Sequence, residues 1–321
     1  MPVALSAAAL ALLFACSTPP AADVIAGDGV LCDITRRLAG NDLRVQCLLG
    51  PKDDPHQFQL TPKQGRELRE ARLVLINGYG LTPALERRSG AVPIAEQAVP
   101  NSPHLRGHAE TDRHNTADDP HDRDPHVWHD PEQAAAMVTV ASARLKQLQP
   151  ARATAIARRA SAMTDSLGEL DRWNHRQFAS VPARPGQRTL ATGHRAFASL
   201  SRAYGLRELP VVDEHSGSES LRPQALATAV KRLQQERVPA LFSETWPASR
   251  ALTRISELSG VPLTPQALRA DGLAPAAGQG SSDGDLMATL TTNTCLIVDQ
   301  LGGHCDRNGQ QRLIRQWQAI R

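Results

Sequence analysis

The chain has 321 residues, 41% hydrophobic and 21% charged, enough for two globular domains with ample core. Its formal net charge, 36 basic against 33 acidic residues, is only +3, and no zinc-finger, RRM or basic-helix pattern occurs. These features exclude nucleic acid as a partner.

Val3 to Phe14 is an apolar run too short for a lasting transmembrane helix. It ends in Leu13-Phe14-Ala15-Cys16-Ser17, which resembles a bacterial lipoprotein signal with Cys16 as the lipidated residue. The match departs at two points: no Lys or Arg precedes the run, and Phe14 is bulky for its place. An ordinary secretory signal peptide is the alternative, and both export the chain. Four cysteines remain. Cys32 and Cys47 lie fifteen apart and Cys295 and Cys305 ten apart, two local pairs that read as disulfides in an oxidising compartment. A Cys₄ zinc site lacks the close ligand pairs such sites use.

After the segment 1–22, strand and helix patterns alternate. Val24-Ile25-Ala26 starts a strand, Gly27 to Gly29 turns into a helix, and Leu43 to Leu49 is a second strand ending before Asp54-Pro55-His56. Thr61-Pro62-Lys63-Gln64 is a helix start with an N-cap, an N1 proline and an N3 glutamine, and Leu73 to Ile76 is a buried strand. The stretch from His104 to His129 holds six of the 11 histidines, and its part up to Asp124 lacks apolar periodicity and reads as an exposed loop. Asp130-Pro131 starts the next helix. A long helix over 150–180 carries the stripe Ile156, Ala160, Met163, Leu167, Leu170, Trp173 and Phe178.

A second alternation begins at Thr189 to Thr192, with further strands at Leu209 to Val212 and Ala240 to Ser243, and a final helix through Leu286 to Leu296. This order predicts an α/β fold of two lobes, each a mostly parallel sheet flanked by helices. The expected divisions are a lobe over 23–149 carrying the His-rich loop 104–124, the rigid connecting helix 150–180, and a lobe over 181–321.

His56 and His126 sit in Asp-Pro-His settings and His194 in Thr192-Gly193-His194, each read as lying at a strand end. Proline holds φ and drives the preceding residue extended, so these histidines are presented from loops. In open parallel sheets ligands bind at the carboxyl ends of strands, and a cleft between the lobes could gather all three imidazoles on one metal ion.

Four stretches carry a family resemblance: Gly50 to Phe58, Ala71 to Gly78, Asp124-Pro125-His126-Val127-Trp128-His129-Asp130-Pro131, and Thr192 to Phe197 with Tyr204-Gly205-Leu206. In these the chain resembles the metal-binding solute-binding proteins of bacterial ABC transporters for zinc and manganese, especially the zinc-uptake branch. The resemblance implies two lobes joined by a long helix, a metal in the cleft, and His56, His126 and His194 as ligands. Its fourth ligand is a carboxylate, matched here by Asp271 in Leu268-Arg269-Ala270-Asp271-Gly272-Leu273, although the family's proline is absent. Manganese members carry glutamate where His194 stands, and imidazole suits zinc, so Zn²⁺ is expected ahead of Mn²⁺.

His104, His108, His114 and His121 form an accessory loop that either gathers ions weakly or is simply solvated. His129 is read as facing away from the ion or hydrogen-bonding. Glu214, His215 and Glu244 near strand ends receive no role. The resulting expectation is an exported, lipid-anchored monomer at the periplasmic or extracytoplasmic membrane surface that delivers Zn²⁺ to an ABC permease and performs no catalysis. The rivals are a manganese-binding member of the family, a zinc hydrolase, for which no His-Glu-x-x-His element occurs, and a zinc-buffering surface lipoprotein.

Overall fold

Two parallel sheets organise the chain in the computed structural model, which describes residues 22–50, 53–104, 123–212, 222–275 and 284–321. Strands β1 (Val24–Ala26), β2 (Val45–Cys47), β3 (Leu73–Ile76) and β4 (Val92–Pro93) form the first, in the order β2-β1-β3-β4. Strands β5 (Thr189–Thr192), β6 (Arg207–Pro210) and β7 (Leu241–Phe242) form the second, in the order β6-β5-β7. Every pairing within these two sheets is parallel.

The unbroken apolar runs of the central strands have a physical reason: both faces are covered. Successive side chains on a strand point to opposite faces. Val24 and Ala26 accordingly enter one core cluster and Ile25 another. In the second sheet Leu190 and Phe242 face one cluster, Ala191 and Leu241 the other. The first helices are α1 (Gly29–Ala39), α2 (Pro62–Glu70), α3 (Pro83–Glu86), α4 (Ile94–Ala98) and α5 (Pro131–Leu148), of which α2 and α5 begin at the caps read from the sequence. Asp28 accepts from the Leu31 N–H, Thr61 and Gln64 form a reciprocal capping box, and Asp130 accepts from the Glu132 N–H.

The long helix α6 (Ala153–Ala179) has 27 residues. At 1.5 Å per residue it runs roughly 40 Å. Its stripe from Ile156 to Trp173 packs in the first lobe's core, and Phe178 packs in the second's. Buried Arg159 fixes it to the end of α1 by donating to the carbonyls of Leu38 and Ala39 and pairing with Asp42. A second helix, α10 (Leu286–Gln300), also spans both cores: Leu286, Met287 and Leu290 enter the first, Leu296, Ile297 and Val298 the second. Relative motion of the lobes must shear two packed helices rather than flex one.

The structure differs from the sequence reading in several places. His126 does not follow a strand; the chain enters it from an isolated bridge between His104 and Arg123 and leaves it in a 3₁₀ turn, Val127–His129. Leu263 adds only a single parallel bridge to Leu241 beside the second sheet. The antiparallel pair β8 (Ala274–Pro275) and β9 (Gly284–Asp285) and the helix α11 (Arg307–Gln318) are additions. The α11 sequence is mostly polar, and its core contacts, Leu313, Ile314 and Trp317, come only in its second half. His108, His114, His121 and Cys16 lie outside the described residues, as do Glu214 and His215. No helix among the described residues is long and apolar enough to cross a membrane.

Cys32 and Cys47 join α1 to β2, and Cys295 joins α10 to Cys305 just before α11. Loops of these lengths each restrict the unfolded chain enough to stabilise the fold by about 3 kcal/mol. Reduction of both bridges with dithiothreitol should therefore move the urea midpoint of the metal-free protein down, by about 6 kcal/mol in unfolding free energy. Coincident unfolding curves for oxidised and reduced protein would show that neither bridge constrains the chain.

Candidate metal centre

The repeated Asp-Pro-His element folds the same way both times. The carboxylate of Asp54 accepts from the backbone N–H of His56, and that of Asp124 from the N–H of His126, each at 2.9 Å. Such turns form because a short acidic side chain reaches the backbone two residues on. Proline between the two residues removes the competing donor and narrows the backbone choice. The motif thus turns each imidazole out of the loop at a fixed angle.

The second turn is held from below. Asn77, just after β3, donates from Nδ2 to the Pro125 carbonyl, and the buried Asp124 also meets the His126 ring, with Oδ1 2.8 Å from Nδ1. Nδ1 therefore carries a proton and leaves Nε2 as the ligating atom. His194 reaches the site from the end of β5. The Gly193 N–H donates to Glu244 Oε1 at 2.9 Å, and a Cβ on Gly193 would stand 2.4 Å from Glu244 Oε2. A side chain at 193 would displace the Glu244 carboxylate that accepts from this N–H.

After α7 (Ala198–Tyr204) and α8 (Pro223–Glu236), the Asp271 carboxylate arrives on the segment between α9 (Arg250–Ser259) and β8, pinned residue by residue. The Leu268 N–H donates to the Ser243 carbonyl, and Asn293 of α10 clamps both the N–H and the carbonyl of Arg269. The structure thereby brings together all four residues named from the sequence. One ligand atom each from His56, His126, His194 and Asp271 lies within 4.8 Å of the others. His56 Nε2 is 3.4 Å from His126 Nε2, and Asp271 oxygens are 3.3, 2.9 and 3.6 Å from Nε2 of His56, His126 and His194. A regular tetrahedron with bonds of about 2.05 Å has edges of about 3.3 Å. The four groups can hold a four-coordinate divalent ion.

Access is one-sided. The His56 side chain is 38% exposed, those of His194 and Asp271 23% and 19%, and that of His126 2%, so the cluster is most open to solvent at His56. Of the accessory histidines, His104 is described; it is exposed and pairs with Arg123 at the base of the His-rich segment, outside the four-residue cluster.

The electrostatics follow from crowding four electron-pair donors. Burial alone disfavours the His126 imidazolium, but its hydrogen bonds to the Asp124 and Asp271 carboxylates outweigh it and push its pKa up to about 10. Burial likewise opposes ionisation of Asp271, and the His126 and His56 rings outweigh it, holding this carboxyl well below the usual range. At His194 the Asp271 charge does not outweigh burial, which brings the pKa down to about 4, leaving the ring neutral with Nε2 lacking a hydrogen-bond partner. In the metal-free site a proton on His126 Nε2 neutralises Asp271. Burial also lifts Glu244, beside the His194 ring, to about 8 and Glu208, which accepts from the Phe197 N–H, to about 7.

Sequence reasoning missed the supporting roles of Asn77, Asp124, Glu244 and Glu208. Asp124 was visible in its motif, and Glu244 could be located at a strand end, but their partners lie across the fold.

Comparison with known proteins supplies the context. The family profile described as "Zinc-uptake complex component A periplasmic" matches residues 24–300. The chain is 29% identical over 230 residues to the zinc-binding protein TroA of Treponema pallidum, covering 69% of this chain and 70% of that one. It is 23% identical over 275 residues to the manganese ABC transporter substrate-binding lipoprotein PsaA of Streptococcus mitis, covering 82% and 85%. Among solved structures, TroA from Treponema pallidum aligns with a TM-score of 0.74 at 25% identity, covering 88% of this chain and 99% of that one. Fe(III)-bound YtgA from Chlamydia trachomatis shares the fold, with a TM-score of 0.75 at 21% identity and the same coverages.

The proton on His126 must leave when an ion takes Nε2. Calorimetric titration of metal at pH 7 in buffers of different ionisation enthalpy should show about one proton released per ion. Asp124→Asn, which lowers the His126 pKa, should reduce that number. Release independent of this substitution would contradict the assignment.

Proposed function

The chain belongs to the family of periplasmic zinc-uptake complex component A proteins, and from that premise we propose that it captures Zn²⁺ outside the cytoplasm and delivers it to a membrane ABC permease. Members of this family are metal-binding solute-binding proteins of ABC transporters, not enzymes. The relatives divide between zinc and manganese names, so the choice of metal has to come from the site.

The observation that carries the zinc reading is the donor set: three imidazoles and one carboxylate whose ligand atoms lie within 4.8 Å of one another. Imidazole nitrogen favours Zn²⁺ over Mn²⁺ in the usual affinity order, and manganese prefers more oxygen donors and a larger coordination number. His194 supplies nitrogen where the manganese branch, to which the chain is otherwise similar, places glutamate. Three neutral ligands and one anion leave the bound Zn²⁺ site with one net positive charge, which Asp124 beneath His126 offsets. The two lobes each contribute ligands, so a bound ion closes the cleft. Two spanning helices limit rocking, and release is expected to involve the more exposed His56 segment first.

The proposal extends to location. Cys16 follows a lipoprotein-like leader, which would tether the chain, as a monomer, to the outer face of the cytoplasmic membrane beside its permease.

Competitive titration tests the function. The full chain should bind one Zn²⁺ and prefer it to Mn²⁺ by at least 100-fold, about 2.7 kcal/mol. His56→Ala and His194→Ala should each weaken zinc by more than tenfold. His194→Glu should narrow the preference for zinc over manganese. Unchanged zinc affinity in both alanine variants would remove the site, and equal affinity for the two ions in the parent would return the assignment to a manganese carrier.

A further inference from the structure

His129 stands one 3₁₀ turn beyond His126 and is fully buried, facing away from the ion's place. Its Nε2 lies 3.0 Å from the Ala270 carbonyl, the backbone group immediately before Asp271. A carbonyl only accepts, so Nε2 carries the proton, and Nδ1 is buried without a partner. Burial lowers the ring's pKa to about 4, consistent with a neutral donor. On its other side the ring packs against Phe197, with centroids 4.6 Å apart, three residues after His194. One side chain of the first lobe thus grips both segments of the second lobe that present ligands.

We infer that His129 is a positioning residue that sets the Asp271 carboxylate against His126 before any ion arrives. The chain leading to Asp271 is fixed in sequence by Ser243 at Leu268, Asn293 at Arg269 and His129 at Ala270. The first two supports come from the second lobe itself. His129 alone among the three belongs to the turn that carries His126, so it ties the ligands of the two lobes to one another. Without its N–H the Ala270 carbonyl is buried and unsatisfied, and the neighbouring carboxylate loses its register. This inference rests on the metal-site reading given above.

The test uses the full chain with Zn²⁺ affinity measured by chelator competition and Co²⁺ absorption as a monitor of coordination. His129→Leu should weaken zinc about tenfold and alter the cobalt d–d bands. In an Asp271→Ala background the same substitution should change affinity by less than twofold, because the group it positions is gone. His129→Gln, whose amide nitrogen falls near the place of Nε2, should recover most of the affinity. His129→Asn, whose nitrogen falls near Nδ1, should not. The Gln and Asn variants also decide the matter if the leucine variant does not fold. Parent-like affinity in His129→Leu, an equal loss with and without Asp271, or equal affinities for Gln and Asn would overturn the inference. If His56→Ala and His194→Ala lose zinc while His129→Leu does not, only this inference fails. If the two alanine variants retain zinc, the site reading fails with it.

Discussion

A carboxylate withdrawn from water needs positive charge beside it, and in this fold three imidazoles converge on the one that Asp271 supplies. In the metal-free protein a proton shared with His126 meets that need. A divalent ion meets it better, because it also satisfies the nitrogen of His194, which otherwise has no hydrogen-bond partner. The affinity of the site for a cation is therefore the reverse side of the cost of leaving it empty. The supporting groups hold a ring or a loop through defined hydrogen bonds: Asp124 and Glu244 accept, Asn77 donates, and Asn293 does both.

The scaffold keeps that arrangement from relaxing. Two parallel sheets aim their carboxyl ends at a common cleft, and α6 and α10 each bury side chains in both cores. A hinge made of one loop would let the lobes separate by bending a few dihedrals. Here separation has to disturb two sets of interdigitated side chains, which favours small local movements around the cleft over wide opening.

Much of this was legible in the sequence. The alternation of apolar runs with capped helices gives the α/β architecture, and the long stripe from Ile156 to Phe178 gives the spanning helix. The three histidines and Asp271 are the residues that the fold gathers. What the sequence could not show was contact across the chain. The site position of His126 was anticipated, but its local setting was not, because a 3₁₀ turn entered from an isolated bridge leaves no periodic signal. Helix α11 was hidden by its polar first half, and the bridging role of α10 by its buried Thr289, Thr291, Asn293 and Thr294, which interrupt the apolar pattern although the helix is covered nearly all round. His129 could be read as facing away from the ion or hydrogen-bonding, but its partner could not be named, because the Ala270 carbonyl is 141 residues away and is a backbone atom.

The zinc K-edge absorption spectrum of the full chain loaded with one equivalent of Zn²⁺ tests the central claim most directly. Three imidazole nitrogens and one carboxylate oxygen at about 2.0–2.1 Å are the predicted first coordination sphere. A six-coordinate oxygen-rich sphere, or sulfur scattering at about 2.3 Å, would contradict it.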